Sequence, residues 1–455
     1  MGGGFFRYLC FRNPDNPTDM KKILRYALIF ASAAALTTAC EDNKGEGGDE
    51  PPASTLTPDQ HKVKLENIGK ELAGYFSAEE DRAALESLQE LLDLTAQDEE
   101  MGPMPMPAPM LMHPFAQSLA KALRSMNPAT LLSETTRAAV RYSIAGELGS
   151  NGMTYTYDYT AEEWLETPTD ECRITAVYGR GTGASTLEMT YSAEKTDYAY
   201  TPDDAVAEVP ASIRVTLTVN GKTELTLDVR PNLSNDGLTV KPEAAFTHGS
   251  LACSAQGEAN PQFITATGQI VKNGTTLVDA YAKVAVSDMT DLDNWICEER
   301  DWDGSTYEYI DPSDHFADFV KTGECRMRVL SAEIVGNGDI RKIIDLCDKI
   351  EKNYTQEGAE AEAAVYNANM NIYLAYTDDN TKAANVVMDV SRDEWETYDW
   401  ATGAYTTHYE YYADPVLVFG DGSKYAFESY FTESRFSSLF DTIEELADAY
   451  SALIR

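Results

Sequence analysis

The chain has 455 residues, with 36 Lys and Arg against 75 Asp and Glu and a formal net charge of −39 at pH 7. This balance excludes nucleic-acid binding by phosphate neutralisation, which needs a basic surface. The length suits one large or two medium domains. Beyond Cys40 the cysteines are Cys172, Cys253, Cys297, Cys325 and Cys347. Their odd number, wide spacing and lack of a CxxC pair indicate neither a zinc site nor a dense disulfide framework. A Cys297–Cys325 bridge and buried thiols both stay open.

Met20 to Arg25 (MKKILR) is basic, and Tyr26 to Leu36 is an apolar run of eleven residues. Leu36-Thr37-Thr38-Ala39-Cys40 closes it with small residues and a cysteine. The run is too short to cross a bilayer, which takes about 20 residues, and the order is that of a cleaved secretory signal. With cleavage between Ala39 and Cys40, the segment resembles the lipobox of bacterial lipoproteins. That resemblance implies a Cys40 carrying diacylglyceryl and palmitate chains; Thr37 departs from the usual pattern. Met20 is the expected true start, since residues 1–19 fit no signal, and Phe6 stands where a myristoylation site wants Ser or Thr.

Glu41 to Pro52 is a polar, acidic stretch that cannot bury a core, so residues 40–56 are expected to be a disordered tether. Acidic residues straight after the cysteine resemble the export signal by which Bacteroides-type bacteria place lipoproteins on the outer face of the outer membrane. The expected partner is therefore the membrane, through a lipid anchor, and the expected location is the cell surface.

Residues 57–140 read as helical. Thr57-Pro58-Asp59-Gln60 is a capping box with Pro at the first helical position, followed by Leu65, Ile68, Leu72, Tyr75 and Phe76 at helical spacing. Ser77-Ala78-Glu79-Glu80 opens a second helix with Leu85, Leu88, Leu91 and Leu92 on one face, so the two predict a hairpin. The Met/Pro run 102–110 reads as an extended linker, and helical patterns resume over 115–140.

Residues 141–455 read as the β-rich main domain, because the apolar period changes to two. Tyr155, Tyr157 and Tyr159 alternate, as do Leu187, Met189 and Tyr191. Ile213, Val215, Leu217 and Val219 lie before Asn220-Gly221, and Leu225, Leu227 and Val229 after it. A two-residue turn would place Leu217 opposite Glu224 and split the apolar face. A three-residue bulged loop pairing 215 with 225 and 213 with 227 keeps it whole, and the same logic at Asn273-Gly274 pairs 266 with 280 and 264 with 282. Two such hairpins about 53 residues apart suggest an internal duplication, with strands at 238–246 and 251–256 between them. A helix is predicted over 339–352 with Asp339 as N-cap. Strands are predicted over 366–376, 386–390 and 416–419, then a last amphipathic helix over 434–453. The fold class is α+β: a long antiparallel β-meander flanked by an N-terminal helical hairpin and a C-terminal helix.

The five histidines are scattered, and no Walker loop, G-x-S-x-G or HExxH occurs. No cofactor or metal is indicated. Gly179 to Gly183 (GRGTG) lies between strands and reads as a turn. Asp301-Trp302-Asp303-Gly304 has Ile310 where a calcium loop wants Glu. Met104, Met106, Met110, Met112 and His113 are incidental to a linker.

The remaining candidates are aromatic. Trp302, Tyr307 and Tyr309 lie in DWDGSTYEY, and Trp400, Tyr409 and Tyr411 in DWATGAYTTHYEY. Each stretch runs Asp-Trp, a glycine turn, then Tyr-Glu-Tyr. Such rings beside carboxylates can stack on sugars; cross-strand pairing that stabilises the sheet is the plainer reading of the same residues.

The lipobox, LTPDQHKVKLENIGKELAGYF, the hairpins NGKTELTLDV and NGTTLVDAYAKV, and VLVFGDGSKYAFESYF together resemble a group of Bacteroides-type surface lipoproteins of unknown function, over about half the chain. That resemblance implies no activity. Three functions follow as expectations: a non-enzymatic binding or structural module for glycan or another surface protein; a carrier of a lipid-like ligand in a curved sheet; and an uncharacterised hydrolase.

Overall fold

The computed structural model describes residues 50–95, 116, 152–179, 184–192, 194–200, 205–230, 232, 241–287, 296–300, 306–310, 320–350, 354–399, 403–432 and 434–452. The sequence candidates Ala39, Cys40, Trp302 and Trp400 lie outside them, as do the Met/Pro run and most of residues 115–140.

The strands are β1 (Gly152–Asp158), β2 (Glu163–Thr169), β3 (Arg173–Tyr178), β4 (Ser185–Tyr191), β5 (Lys195–Tyr200), β6 (Ala205–Pro210), β7 (Ile213–Val219), β8 (Lys222–Arg230), β9 (Glu243–His248) and β10 (Leu251–Ala259). There follow β11 (Phe263–Lys272), β12 (Thr275–Val286), β13 (Ile296–Arg300), β14 (Thr306–Ile310), β15 (Val320–Val329), β16 (Ala332–Gly338), β17 (Met370–Tyr376), β18 (Thr381–Asp399), β19 (Ala404–Phe419) and β20 (Lys424–Ala426). The helices are α1 (Pro58–Gly74), α2 (Ala78–Thr95), α3 (Ile340–Cys347), α4 (Gln356–Asn369), α5 (Phe427–Tyr430) and α6 (Ser437–Ser451).

Sixteen strands form one sheet in the order β2-β1-β3-β4-β7-β8-β9-β10-β11-β12-β15-β16-β17-β18-β19-β20. Every pairing in it is antiparallel except β1 with β3, which run parallel from Met153↔Ile174. β5 with β6 and β13 with β14 are separate hairpins. The class is mixed α+β and mostly β.

The alternating residues of β7 to β10 place one face in the core. Ile213, Val215, Leu217, Leu225, Leu227, Val229, Phe246 and Cys253 are buried there with Leu85, Leu88 and Leu91 of α2. The opposite face is polar, with Arg214 holding Asp228 across the strands at 2.6 Å. Further along, Leu439 and Ile443 of α6 pack with Leu417 and Phe419, and Ile68 of α1 with Leu374 and Tyr376. Each fully buried Leu or Ile contributes about 1.5–3 kcal/mol. α1 starts at the expected capping box: Gln60 N–H donates to Thr57 Oγ1 at 3.4 Å, and Thr57 N–H to Gln60 Oε1 at 2.8 Å. α1 also crosses α6 closely, since a Cβ on Gly69 would sit 2.7 Å from Leu439 Cδ2.

The hairpin register differs from the three-residue loop expected. Both turns have two residues at positive φ, Asn220 (53°) with Gly221 (77°) and Asn273 (53°) with Gly274 (78°). This is the twist a two-residue hairpin prefers. Val219 faces Lys222 and Thr218 faces Thr223, then a bulge shifts the register so that Leu217 meets Leu225 and Val215 meets Leu227. The second hairpin repeats it, with Val271↔Thr276 before the shift and Ile270↔Val278 after it. One apolar face is kept intact, as the sequence requires. This is achieved by an extra residue in the second strand, Glu224 or Leu277, and not by a longer loop.

Other boundaries also move. The predicted strand over 366–376 begins at Met370; Tyr366 and Ala368 belong to α4, whose Ala- and Glu-rich sequence favours helix and whose Thr355 cap accepts from Gly358 N–H at 3.2 Å. The helix after Asp339 ends at Cys347, while the last helix, expected over 434–453, is the single α6, and the short α5 precedes it. Part of the expected tether is held: Lys382 N–H donates to Pro52 O at 2.8 Å and Ser54 N–H to Lys382 O at 2.7 Å. Gly420 admits this strap, its would-be Cβ lying 2.6 Å from Ser54 O.

Gly274→Ala should lower the unfolding free energy by about 1–2 kcal/mol, because φ stays at an angle that a Cβ disfavours. Gly74→Ala, which meets nothing within 4 Å, should leave stability unchanged or raise it. Denaturant midpoints measured side by side check both.

Candidate functional site

β18 and β19 are the longest strands, with 19 and 16 residues. β17 accompanies β18 only as far as Val386, and β20 accompanies β19 only over Val416 to Val418. α4 props the middle of the pair. Asn367 bonds both backbone groups of Met388, donating to its O at 2.7 Å and accepting from its N–H at 2.8 Å. Tyr411 N–H donates to Tyr354 O at 2.9 Å. Beyond that prop, Arg392–Asp399 and Ala404–Tyr411 pair with each other, from Arg392↔Tyr411 to Asp399↔Ala404, as a two-stranded ribbon with both faces open.

The ribbon is rich in exposed rings. Trp395 is 44% exposed, Tyr398 40%, Tyr405 68% and Tyr409 48%; among the described residues only Val63, Leu165 and Tyr354 are other large apolar side chains so exposed. Tyr354 itself sits at the ribbon's base, its ring 5.6 Å from that of Tyr412. Four of seven on one hairpin is a concentration, not scatter.

Pleating sorts the residues into two faces. One carries Asp393, Trp395 and Thr397 with Glu410, His408 and Thr406. Here the indole stacks on the His408 ring at 4.3 Å and 17°, and Thr397 Oγ1 lies 2.7 Å from His408 Nε2. The other face carries Arg392, Glu394, Glu396 and Tyr398 with Tyr411, Tyr409, Thr407 and Tyr405. Here Tyr398 and Tyr405 are 4.9 Å apart, and the Arg392 guanidinium lies 4.8 Å over the Tyr409 ring. Cross-strand pairing thus does operate, and it leaves the outer ring surfaces in water.

Carboxylates are interleaved with the rings. Glu394 is directly opposite Tyr409, and Asp393 is directly opposite Glu410. Tyr412 Oη donates to Glu410 Oε2 at 2.5 Å. That carboxylate bond, with burial and the charge of Asp393, pushes the Tyr412 phenol up to about 12.

Of the candidates read from sequence, Tyr409 is exposed on this ribbon and Tyr411 is half-buried on the same face. Tyr307 and Tyr309 lie on β14, opposite Glu299 and Cys297, in the separate β13–β14 hairpin. Trp395, Tyr398, Tyr405 and His408 were missed. Their signal is present as cross-strand partners once Asp399 is set opposite Ala404.

Two other polar clusters are buried and tie elements together. His248 Nδ1 donates to Glu224 O at 2.7 Å, its Nε2 meets Asp81 Oδ1 at 2.7 Å, and Tyr450 Oη donates to Asp81 Oδ2. This links β8, β9, α2 and α6. Burial disfavours the imidazolium, but the Asp81 carboxylate and the Glu224 carbonyl outweigh it and hold the His248 pKa above its ordinary value. His61, fully buried, lies between the Tyr376 and Phe419 rings with Nδ1 3.0 Å from Tyr376 Oη. Burial, aided by Lys64, lowers its pKa. Burial of the free Cys253 thiol pushes it up to about 12, so it is inert.

Among the described residues, no group of three or more His, Cys, Asp or Glu side chains could hold a metal ion, and no helix is long and apolar enough to cross a membrane. No protein-family model, curated protein or solved structure matches the chain.

The two buried histidines bend the stability–pH curve in opposite senses. The His248 contribution is full below 6.5 and is lost as pH rises through its raised folded value. The His61 contribution is full above 6.5 and is lost as pH falls through its lowered value. His248→Gln should therefore flatten the alkaline limb and His61→Gln the limb below pH 6.5, as read from thermal midpoints across pH 4–9. Trp395→Ala, on the open ribbon, should change unfolding free energy by no more than about 0.5 kcal/mol.

Proposed function

We propose that the protein is a lipid-anchored, surface-exposed lipoprotein that acts as a non-enzymatic binding module, with the β18–β19 ribbon as its contact element and a glycan as its ligand. The observation that carries this reading is the ribbon itself: four exposed rings on two faces, interleaved with carboxylates. Flat rings give area for stacking, and the carboxylates give acceptors for hydroxyl groups. The anchoring half of the proposal rests on the basic, apolar and small-residue order ending at Cys40.

A hydrolase would need an accessible acid–base pair, and the His248–Asp81 pair is sealed in the core. A carrier of a lipid-like ligand is favoured by one observation. On the apolar face, between the contacts of α1 at Leu374 and of α3 at Val284, Ala266 is exposed and Ala280, Ala282, Met327 and Ile334 are only half-buried. The internal duplication is also part of our proposal. It is supported by an Asn-Gly turn and a bulge four residues past the Asn in each hairpin, at Asn220 with Glu224 and at Asn273 with Leu277.

The full chain in mild detergent should bind discrete members of a glycan array, and Trp395→Ala or Tyr405→Ala should weaken binding about tenfold. Absence of glycan binding, with a fatty acid retained in native mass spectra, would favour the carrier. Cys40→Ala should abolish palmitate incorporation and move the protein from the membrane to the soluble fraction.

A further inference from the structure

We infer that the ribbon recognises a glycan bearing free amino groups, so that the ligand is a cationic amino-sugar polymer and not a neutral or acidic one. This rests on the reading of the ribbon as the glycan contact and adds the charge of the ligand to it. Among the described side chains of the paired segment, Asp393, Glu394, Glu396 and Glu410 are countered by one cation, Arg392. That guanidinium is already engaged over the Tyr409 ring at 4.8 Å and lies 3.9 Å from Glu394.

Asp393 and Glu410 face each other directly, an arrangement that destabilises a strand pair when both are ionised. They flank the Trp395–His408 stack on the same face. A cation seated over the indole beside these two carboxylates would relieve their repulsion and use the negative face of the ring at the same time. The second face offers Glu396 two residues from Tyr398 on the same strand, whereas Arg392 already takes the Glu394–Tyr409 pair. Ring and carboxylate together fit an ammonium group carried on a flat sugar ring. Uronic or sulfated sugars would meet four carboxylates on a chain of net charge −39. The rings lie on the faces of the ribbon and not along its edges. That placement suits a stacking ligand better than a peptide strand adding to an edge.

The test compares the full chain in detergent with a fully deacetylated glucosamine hexamer and with the same hexamer N-acetylated, by titration calorimetry at low salt. The amine form should bind at least about tenfold more tightly and weaken as salt rises. Glu394→Gln combined with Asp393→Asn and Glu410→Gln should bring the two ligands level, whereas Trp395→Ala should weaken the amine form with all carboxylates kept. Equal binding of the two hexamers by the unaltered chain would overturn the charge inference and leave the glycan reading standing. Failure of both hexamers and of every array glycan would remove the glycan reading as well. Hexalysine binding as tightly as the amine hexamer, undiminished by Trp395→Ala, would reduce the site to bare charge and overturn the role of the rings.

Discussion

The structure depends on covering one apolar face of a sheet whose described strands run in a single linear order. Sixteen strands stand in linear order from β2 to β20, and among the described residues the cover of the apolar face comes from helices. Segments from far apart in the chain supply it: α2 over β7 and β8, α1 over β17, and α6 over β18 and β19. These helices also hold each other. Arg435 bonds Asp59 at 2.7 Å, Lys70 bonds Ser438 at 2.5 Å, and only a glycine at 69 lets Leu439 approach. The buried bridge from His248 through Asp81 to Tyr450 pins the same helices to the strands, with its polar atoms satisfied inside the core.

The same constraint explains the bulges. A strand that crosses a two-residue turn changes parity with respect to its partner, so Leu225 and Val278 would face solvent in an unbroken ladder. One inserted residue at Glu224 and one at Leu277 restore them. It also explains why the ribbon is chemically different. Among the described residues, no further strand pairs with β18 past Val386 or with β19 before Val416, and the ribbon beyond α4 is largely exposed. Alternation for burial then has no purpose, and both faces carry rings and charge. Residues that do not serve the core there are free to serve contact.

Much of this was legible in the sequence. The capping box at Thr57, the leucine stripe of α2 and the alternation of β7 and β8 are local patterns, and each led to the element observed. The register was half legible: the apolar residues dictated that Leu217 and Leu225 share a face, but a bulge and a longer loop satisfy that demand equally. α4 was missed because Tyr366 and Ala368 extend the period-two pattern of β17 backwards, although the preceding Ala-Glu run and its Thr cap favour helix. The ribbon was half legible too. Tyr409 and Tyr411 were found from a motif, while Trp395, Tyr398 and Tyr405 become meaningful only when strand pairing places them opposite His408 and each other. The sequence carries ring identities; exposure is a property of where β17 and β20 stop.

β18 joins the two ends of the proposed function. Its second residue, Lys382, takes the strap at Pro52 and Ser54 and pairs with Glu50 at 2.9 Å. Its far end forms the ribbon tip. Seventeen residues separate Lys382 from Asp399, which is about 56 Å along an extended strand. On the anchored reading, the chain leaves the membrane, meets the sheet at Lys382, and holds the rings at the opposite end of the same strand. The strap bonds to β18 at Lys382, which faces Ala375 of β17, two residues before the β19 ladder begins at Ala384; on the anchored reading, a pull on the tether enters the sheet there before it reaches the ribbon. On that reading, a contact element held off a surface needs separation and stiffness, and a single long strand provides both.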